Sequence, residues 1–100
     1  MSIILTNITF FHAINSKAEV DSIRPVDGSR NVVEADLRFH QNTVVMSHDE
    51  IQPGTYPDIY TVVEWLIDIN QKFVNKDYEL KLDFKDARAC QSSCEMIALQ

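Results

Sequence analysis

Two histidines, three carboxylates and a lysine carry the chemical interest of this 100-residue sequence. His12 follows the apolar run "ITFF" and stands three residues before the start of the polar stretch "NSK". His48 closes the run "TVVMS". Taken singly, each is an ordinary histidine more often than a reactive one. Taken together they suit the division of proton-transfer roles in phosphodiester cleavage, because imidazole titrates near neutral pH. Glu34 and Asp36 stand two apart in "VVEADL", and Asp83 stands two before Lys85 in "LDFK". These three carboxylates are hard oxygen donors, suited to Mg²⁺ or Ca²⁺ and not to zinc. A divalent ion there would neutralise a phosphate and stabilise a developing oxyanion. Lys85 would add a second positive contact. His40 and Asp49 are either supporting groups or plain surface. Cys90 and Cys94 have no histidine or acid at zinc spacing, and at four residues apart on a helix they read as free thiols, which fits a reducing compartment.

These residues need elements to position them. "IILTNITFF" is β-branched and aromatic, and reads as a strand ending near Phe11. Ser16 and Glu19 make the Ser-x-x-Glu capping pattern, so a short helix should begin at Ser16. "NVVEADLRF" and "TVVMSH" read as the second and third strands. The loop "DEIQPGTYPDIY", with two prolines and a glycine, should be irregular. "TVVEWLIDINQKFV" is the clearest helix: Thr61 and Glu64 repeat the capping pattern, and Val62, Trp65, Leu66, Ile69 and Phe73 form one face. Trp65 is expected in the core. "YELKLDF" alternates strictly and reads as the fourth strand, and a helix is expected from Lys85 to the end.

Alternation along the strands sorts the chemistry to one side. Val33, Ala35 and Leu37 form one face of the second strand, and Val32, Glu34 and Asp36 the other. On the fourth strand Tyr78, Leu80, Leu82 and Phe84 oppose Glu79, Lys81, Asp83 and Lys85. Two strands thus turn acids away from their helices. In an open two-layer protein that side is simply wet; in a closed β/α barrel it is the interior. The short link from His40 to Thr43 is too short for a parallel crossover, which takes roughly a dozen residues. The second and third strands are therefore either an antiparallel hairpin or part of another arrangement.

A formal net charge of −6 and a pI near 4.8 argue against a nucleic-acid partner and an anionic membrane surface. With 45% hydrophobic residues the chain can bury one small core. "MSIILTNITFF" lacks a basic leader segment and a small-residue cleavage site, and no run reaches the ~18 apolar residues of a transmembrane helix. A cytoplasmic location is the expectation.

The order His12, Glu34-Ala35-Asp36, His48-Asp49, Asp83-Phe84-Lys85 resembles the skeleton of the glycerophosphodiester phosphodiesterase-like superfamily of TIM barrels. "FHAINSKAEV", "VVEADL" and "LKLDFK" resemble one branch of it, the menorin family. The resemblance implies that His12 and His48 act as general acid and base. It implies further that Glu34, Asp36 and Asp83 hold Mg²⁺ or Ca²⁺, and that Lys85 and Asn15 bind substrate. The substrate class it implies is a lipid-derived or small phosphodiester. The chain departs from the enzymes at Ala13 and Ile14, where His-Arg-Gly is usual and the arginine contacts phosphate, and at Asp83, where glutamate is usual. The departure at Ala13 favours the alternative of a non-catalytic menorin-type binding or scaffold protein. A TIM barrel takes about 250 residues. The expected fold for residues 1–100 is therefore an incomplete α/β N-terminal portion of a TIM barrel, mostly parallel, with helices outside. Such a piece should have little turnover alone and should self-associate through its open sheet edges.

Overall fold

Residues 7–52 and 59–85 are described in the computed structural model of the chain. They form β1 (Asn7–Phe11), α1 (Lys17–Ser22), β2 (Ser29–His40), β3 (Thr43–Met46), α2 (Val62–Lys72) and β4 (Tyr78–Phe84). The helix expected after Lys85, with Cys90 and Cys94, lies outside the described residues, as does the start of the first strand.

Local chemistry sets the ends of these elements. Ser16 caps α1 by accepting the Glu19 N–H at 3.1 Å. The α1 turn stops at Ile23, which is extended, because Arg24 precedes Pro25 and a residue before proline is steered away from helix. Thr61 and Glu64 satisfy each other's backbone N–H groups in a full capping box at the start of α2. Of the stripe that periodicity predicts on α2, Val62, Trp65, Ile69 and Phe73 are buried and Leu66 is half-buried. They pack on Val33, Ala35 and Leu37, the helix-facing side of β2. Phe73 stacks on Tyr78 with ring centroids 5.1 Å apart and meets Phe11 edge-on at 6.0 Å.

The long strand β2 is the spine of a four-stranded mixed sheet. It pairs in parallel with β1 and β4, and antiparallel with β3. Successive carbonyls of a strand point to opposite edges, which places each neighbour. The carbonyls of Glu34 and Asp36 accept from the N–H groups of Ile14 (2.8 Å) and Ser47 (3.0 Å), whereas that of Leu37 accepts from Lys85 (2.9 Å). So β1 and β3 lie in tandem along one edge of β2, and β4 takes the other edge.

This corrects the expected portion of a TIM barrel. The described residues form a small mixed α/β domain with two helices, and nothing in them indicates a piece of barrel. The overturning feature is the link between β2 and β3. Gln41 and Asn42 both have positive φ (48° and 62°), and His40 pairs directly with Thr43. That is a two-residue hairpin of the type I′ kind, whose twist matches the flanking strands. It folds β3 straight back onto β2.

At the opposite end of β2, fully buried Asn31 staples two loops. Its Oδ1 accepts from the Val26 N–H (3.0 Å), and its Nδ2 donates to the carbonyls of Val26, Ser29 and Asp77 (3.0–3.2 Å). This leaves no polar atom of the side chain unmatched, as burial requires. The staple fixes where β4 begins, and hence the register that brings Asp83 beside Asp36.

Candidate functional site

The parallel strands β1, β2 and β4 run in one direction, and the residues singled out from the sequence gather where they end. His12 follows β1, Glu34 and Asp36 lie near the middle of β2, Asp83 is the last residue but one of β4 and Lys85 follows that strand. The crevice beyond the carboxyl ends of parallel strands is the usual place for ligands in open α/β sheets.

Register does the assembling. Asp36 pairs with Asp83, and Glu34 with Lys81. In neighbouring strands paired positions share a face, so three acids and two lysines occupy one patch on the side away from the helices. Lys85 Nζ lies 2.6 Å from Asp83 Oδ2 and 3.5 Å from Asp36 Oδ1. Lys81 Nζ is 3.9 Å from Glu34 Oε2. The hydrogen bond from Lys85 holds the Asp83 carboxyl below the usual carboxylate range, and the same bond raises Lys85. The imidazole of His48 is near enough to contribute to lowering Asp83.

His12 is 76% exposed and places Nδ1 3.0 Å from Glu34 Oε1. A carboxylate at one ring nitrogen fixes the imidazole's orientation and leaves the other nitrogen for proton transfer. Asp36 is only 3% exposed. Asn15 covers it: Nδ2 donates to Asp36 Oδ2 at 3.0 Å, and Oδ1 accepts the Asp36 N–H at 2.7 Å. The resemblance implies a substrate-binding role for Asn15; the structure shows its amide engaged with Asp36.

The strap from His12 to Asn15 is tied down residue by residue. Ile14 donates its N–H to the Glu34 carbonyl, and its own carbonyl accepts from the buried indole Nε1 of Trp65 at 2.8 Å. Ala13, between His12 and Ile14, sits at φ 55°, a left-handed conformation that costs a residue with a Cβ roughly 1–2 kcal/mol. Strain of this kind persists where surrounding bonds over-determine the backbone.

His48 lies two residues beyond the end of β3 rather than on it. Its ring is 66% exposed, with Nδ1 3.0 Å from Asp49 Oδ1. The sequence did not reveal what holds it: Arg38 donates to the His48 carbonyl through Nε (3.3 Å) and a terminal nitrogen (2.8 Å). Ser47 is hooked to the Asp36 carbonyl, which draws the segment toward the acids. His40 is the last residue of β2 and pairs with Thr43 at the hairpin turn.

A cleft of about 950 Å³ abuts this patch; Asn15 and His48 line it together with Val45, Ile59, Tyr60 and Asp68. None of the three acids lines it. On its far wall Asp68 accepts from the Tyr60 hydroxyl and lies 3.1 Å from Lys17 Nζ. The hydrogen bond from Tyr60 lowers Asp68, and Lys17 lowers it further; burial and Asp68 together raise Tyr60.

The donor chemistry suits a hard divalent ion, and the Lys85 ammonium between Asp36 and Asp83 marks where positive charge is wanted. As the side chains stand, though, no three acidic, imidazole or thiol groups among the described residues converge closely enough to hold an ion. A shared ion would require Lys85 to withdraw and Glu34 to turn from His12.

The domain is thus a small mixed α/β unit whose paired acids, lysines and histidine meet at the ends of its parallel strands. Residues 5–100 match the model of the Menorin N-terminal domain, and the chain belongs to the menorin family. Comparison with curated proteins and with solved structures gave no match. Among the described residues no helix is long and apolar enough to cross a membrane.

Proposed function

We propose that this domain carries a phosphodiester-cleaving site of the glycerophosphodiesterase-like kind, acting on a lipid-derived or small phosphodiester. The observation that carries the reading is the juxtaposition of His12 on Glu34 with Lys85 between Asp36 and Asp83, at one end of the sheet. One imidazole takes a proton from the attacking water as its oxygen bonds to phosphorus. The other returns a proton to the departing oxygen as the second P–O bond breaks. His12 and His48 are the two imidazoles, and Glu34 holds the first until a bound ion draws its carboxylate away. Lys85 offsets the phosphate's negative charge in the role that an arginine at the Ala13 position would otherwise share. Glu34, Asp36 and Asp83 would hold Mg²⁺ or Ca²⁺, whose charge would lower the cost of charge build-up on the phosphate.

Ala13 supports a second reading, a non-catalytic menorin-type binding or scaffold protein, because it lacks that arginine's phosphate contact. Turnover of glycerophosphocholine and of bis(p-nitrophenyl) phosphate by the full chain separates the two. The diesterase reading expects metal-stimulated turnover that falls about 10²–10⁴-fold in His12→Ala and in His48→Ala. Turnover no greater than that of His12→Ala, with and without Mg²⁺ or Ca²⁺, would refute it and leave the binding reading.

A further inference from the structure

The outer edge of β4 is a self-complementary surface. The N–H of Lys85 bonds to β2, at the Leu37 carbonyl. By alternation the backbone groups of Glu79, Lys81 and Asp83 also face β2, and those of Leu80, Leu82 and Phe84 point outward. Among the described residues no strand pairs with that outer edge. The strand is seven residues long, without proline or glycine to interrupt a ladder.

Its charges select one partner and one register. Two copies of β4 related by a twofold axis pair antiparallel, with the axis through one residue. With the axis at Leu82, Lys81 faces Asp83 of the other copy and Glu79 faces Lys85, so that four opposite-charge pairs form and no like pair does. With the axis at Lys81 or at Asp83, like charges face each other at the centre, and Glu79 meets Asp83 or Lys81 meets Lys85. With the axis at Leu80, Asp77 meets Asp83. The Leu82 register also makes Leu80–Phe84 and Leu82–Leu82 the hydrogen-bonded pairs, which is what their outward backbone groups require. It leaves Lys81–Asp83 as the closer, non-hydrogen-bonded pair, where cross-strand side chains interact most. The half-buried side chains of Leu80, Leu82 and Phe84 then continue the apolar face of the sheet across the axis.

We propose that β4 pairs with the β4 of a second copy of this chain, antiparallel and centred on Leu82, joining the two sheets into one. Sedimentation equilibrium of the full chain over a range of concentrations tests this, with far-UV circular dichroism to check folding. The wild type is expected to dimerise. Glu79→Lys and Lys85→Glu each turn attraction into repulsion twice per dimer and should weaken it about tenfold. The double variant reverses both charges and should recover affinity to within about threefold of the wild type. A wild type that stays monomeric, single variants that dimerise normally, or a folded double variant as weak as the singles would each overturn the proposal. Should the Lys85 variants fail to fold, the salt dependence of the wild-type dimer decides: about 1 M NaCl, where the Debye length is only about 3 Å, must weaken it. A dimer indifferent to salt would overturn the proposal.

Discussion

Replacing Trp65 with phenylalanine should cost far more than the change in ring size suggests, and should loosen the strap that carries His12 and Asn15. The indole is fully buried, and its Nε1 donates to the Ile14 carbonyl at 2.8 Å. Phenylalanine keeps an aromatic ring on the α2 stripe but leaves that carbonyl without its donor, at a cost of about 1–3 kcal/mol. The smaller ring adds about 1–2 kcal/mol of lost packing. The sum, about 2–5 kcal/mol, is a large share of the roughly 5–15 kcal/mol available to a domain of this size. Urea unfolding followed by circular dichroism measures it directly. A second reading is local: the Ile14 N–H, bonded to the Glu34 carbonyl, should exchange with solvent faster relative to the Val33 amide than in the wild type. A loss under ~0.5 kcal/mol, within the range of an inert surface change, with Ile14 protection unchanged would refute the idea that α2 holds the strap through this one bond.

Asn31→Ala should destabilise by about 2–4 kcal/mol in the same assay, since the Val26 N–H and two carbonyls lose their partner while the Asp77 carbonyl keeps the Asn31 backbone N–H; a change within ~0.5 kcal/mol would mean that the loops hold without it. The network of Tyr60, Asp68 and Lys17 should make stability fall in acid. Tyr60 first, then Lys17, lower the Asp68 carboxyl below its ordinary 3.8 in the fold. As pH drops the unfolded chain therefore takes up this proton first. The contribution is complete above that ordinary value and is lost as pH falls through the folded one. Asp68→Asn should flatten the acid limb of a stability–pH curve, and an unchanged slope would count against the network.

Much of this domain could be read from local pattern. The two capping signals marked where α1 and α2 begin, the stripe through Trp65, Ile69 and Phe73 marked the buried face of α2, and strict alternation gave β4 its bounds. The hairpin was legible only as one of two alternatives: the link from His40 to Thr43 is too short for a parallel crossover, but Gln41-Asn42 is not the Asn-Gly pair that usually announces a type I′ turn, and the positive φ angles settle it. The barrel expectation failed at that point, since the order of motifs along a chain does not specify the direction in which a strand returns. The site was legible in residue type but not in arrangement. That Asp36 and Asp83 sit side by side depends on a register set about 16 Å away by the Asn31 staple, roughly five residues of strand at about 3.3 Å each. Nor does "HAIN" disclose its geometry. Ala13 at positive φ turns the chain so that His12 reaches Glu34 while Asn15, three residues on, reaches Asp36. One strained residue thus gives each of two acids on β2 its own partner. Trp65, fifty residues later, and the β2 backbone hold that residue's neighbour in place. A sequence window around His12 contains His12 and Asn15 but not the groups that aim them.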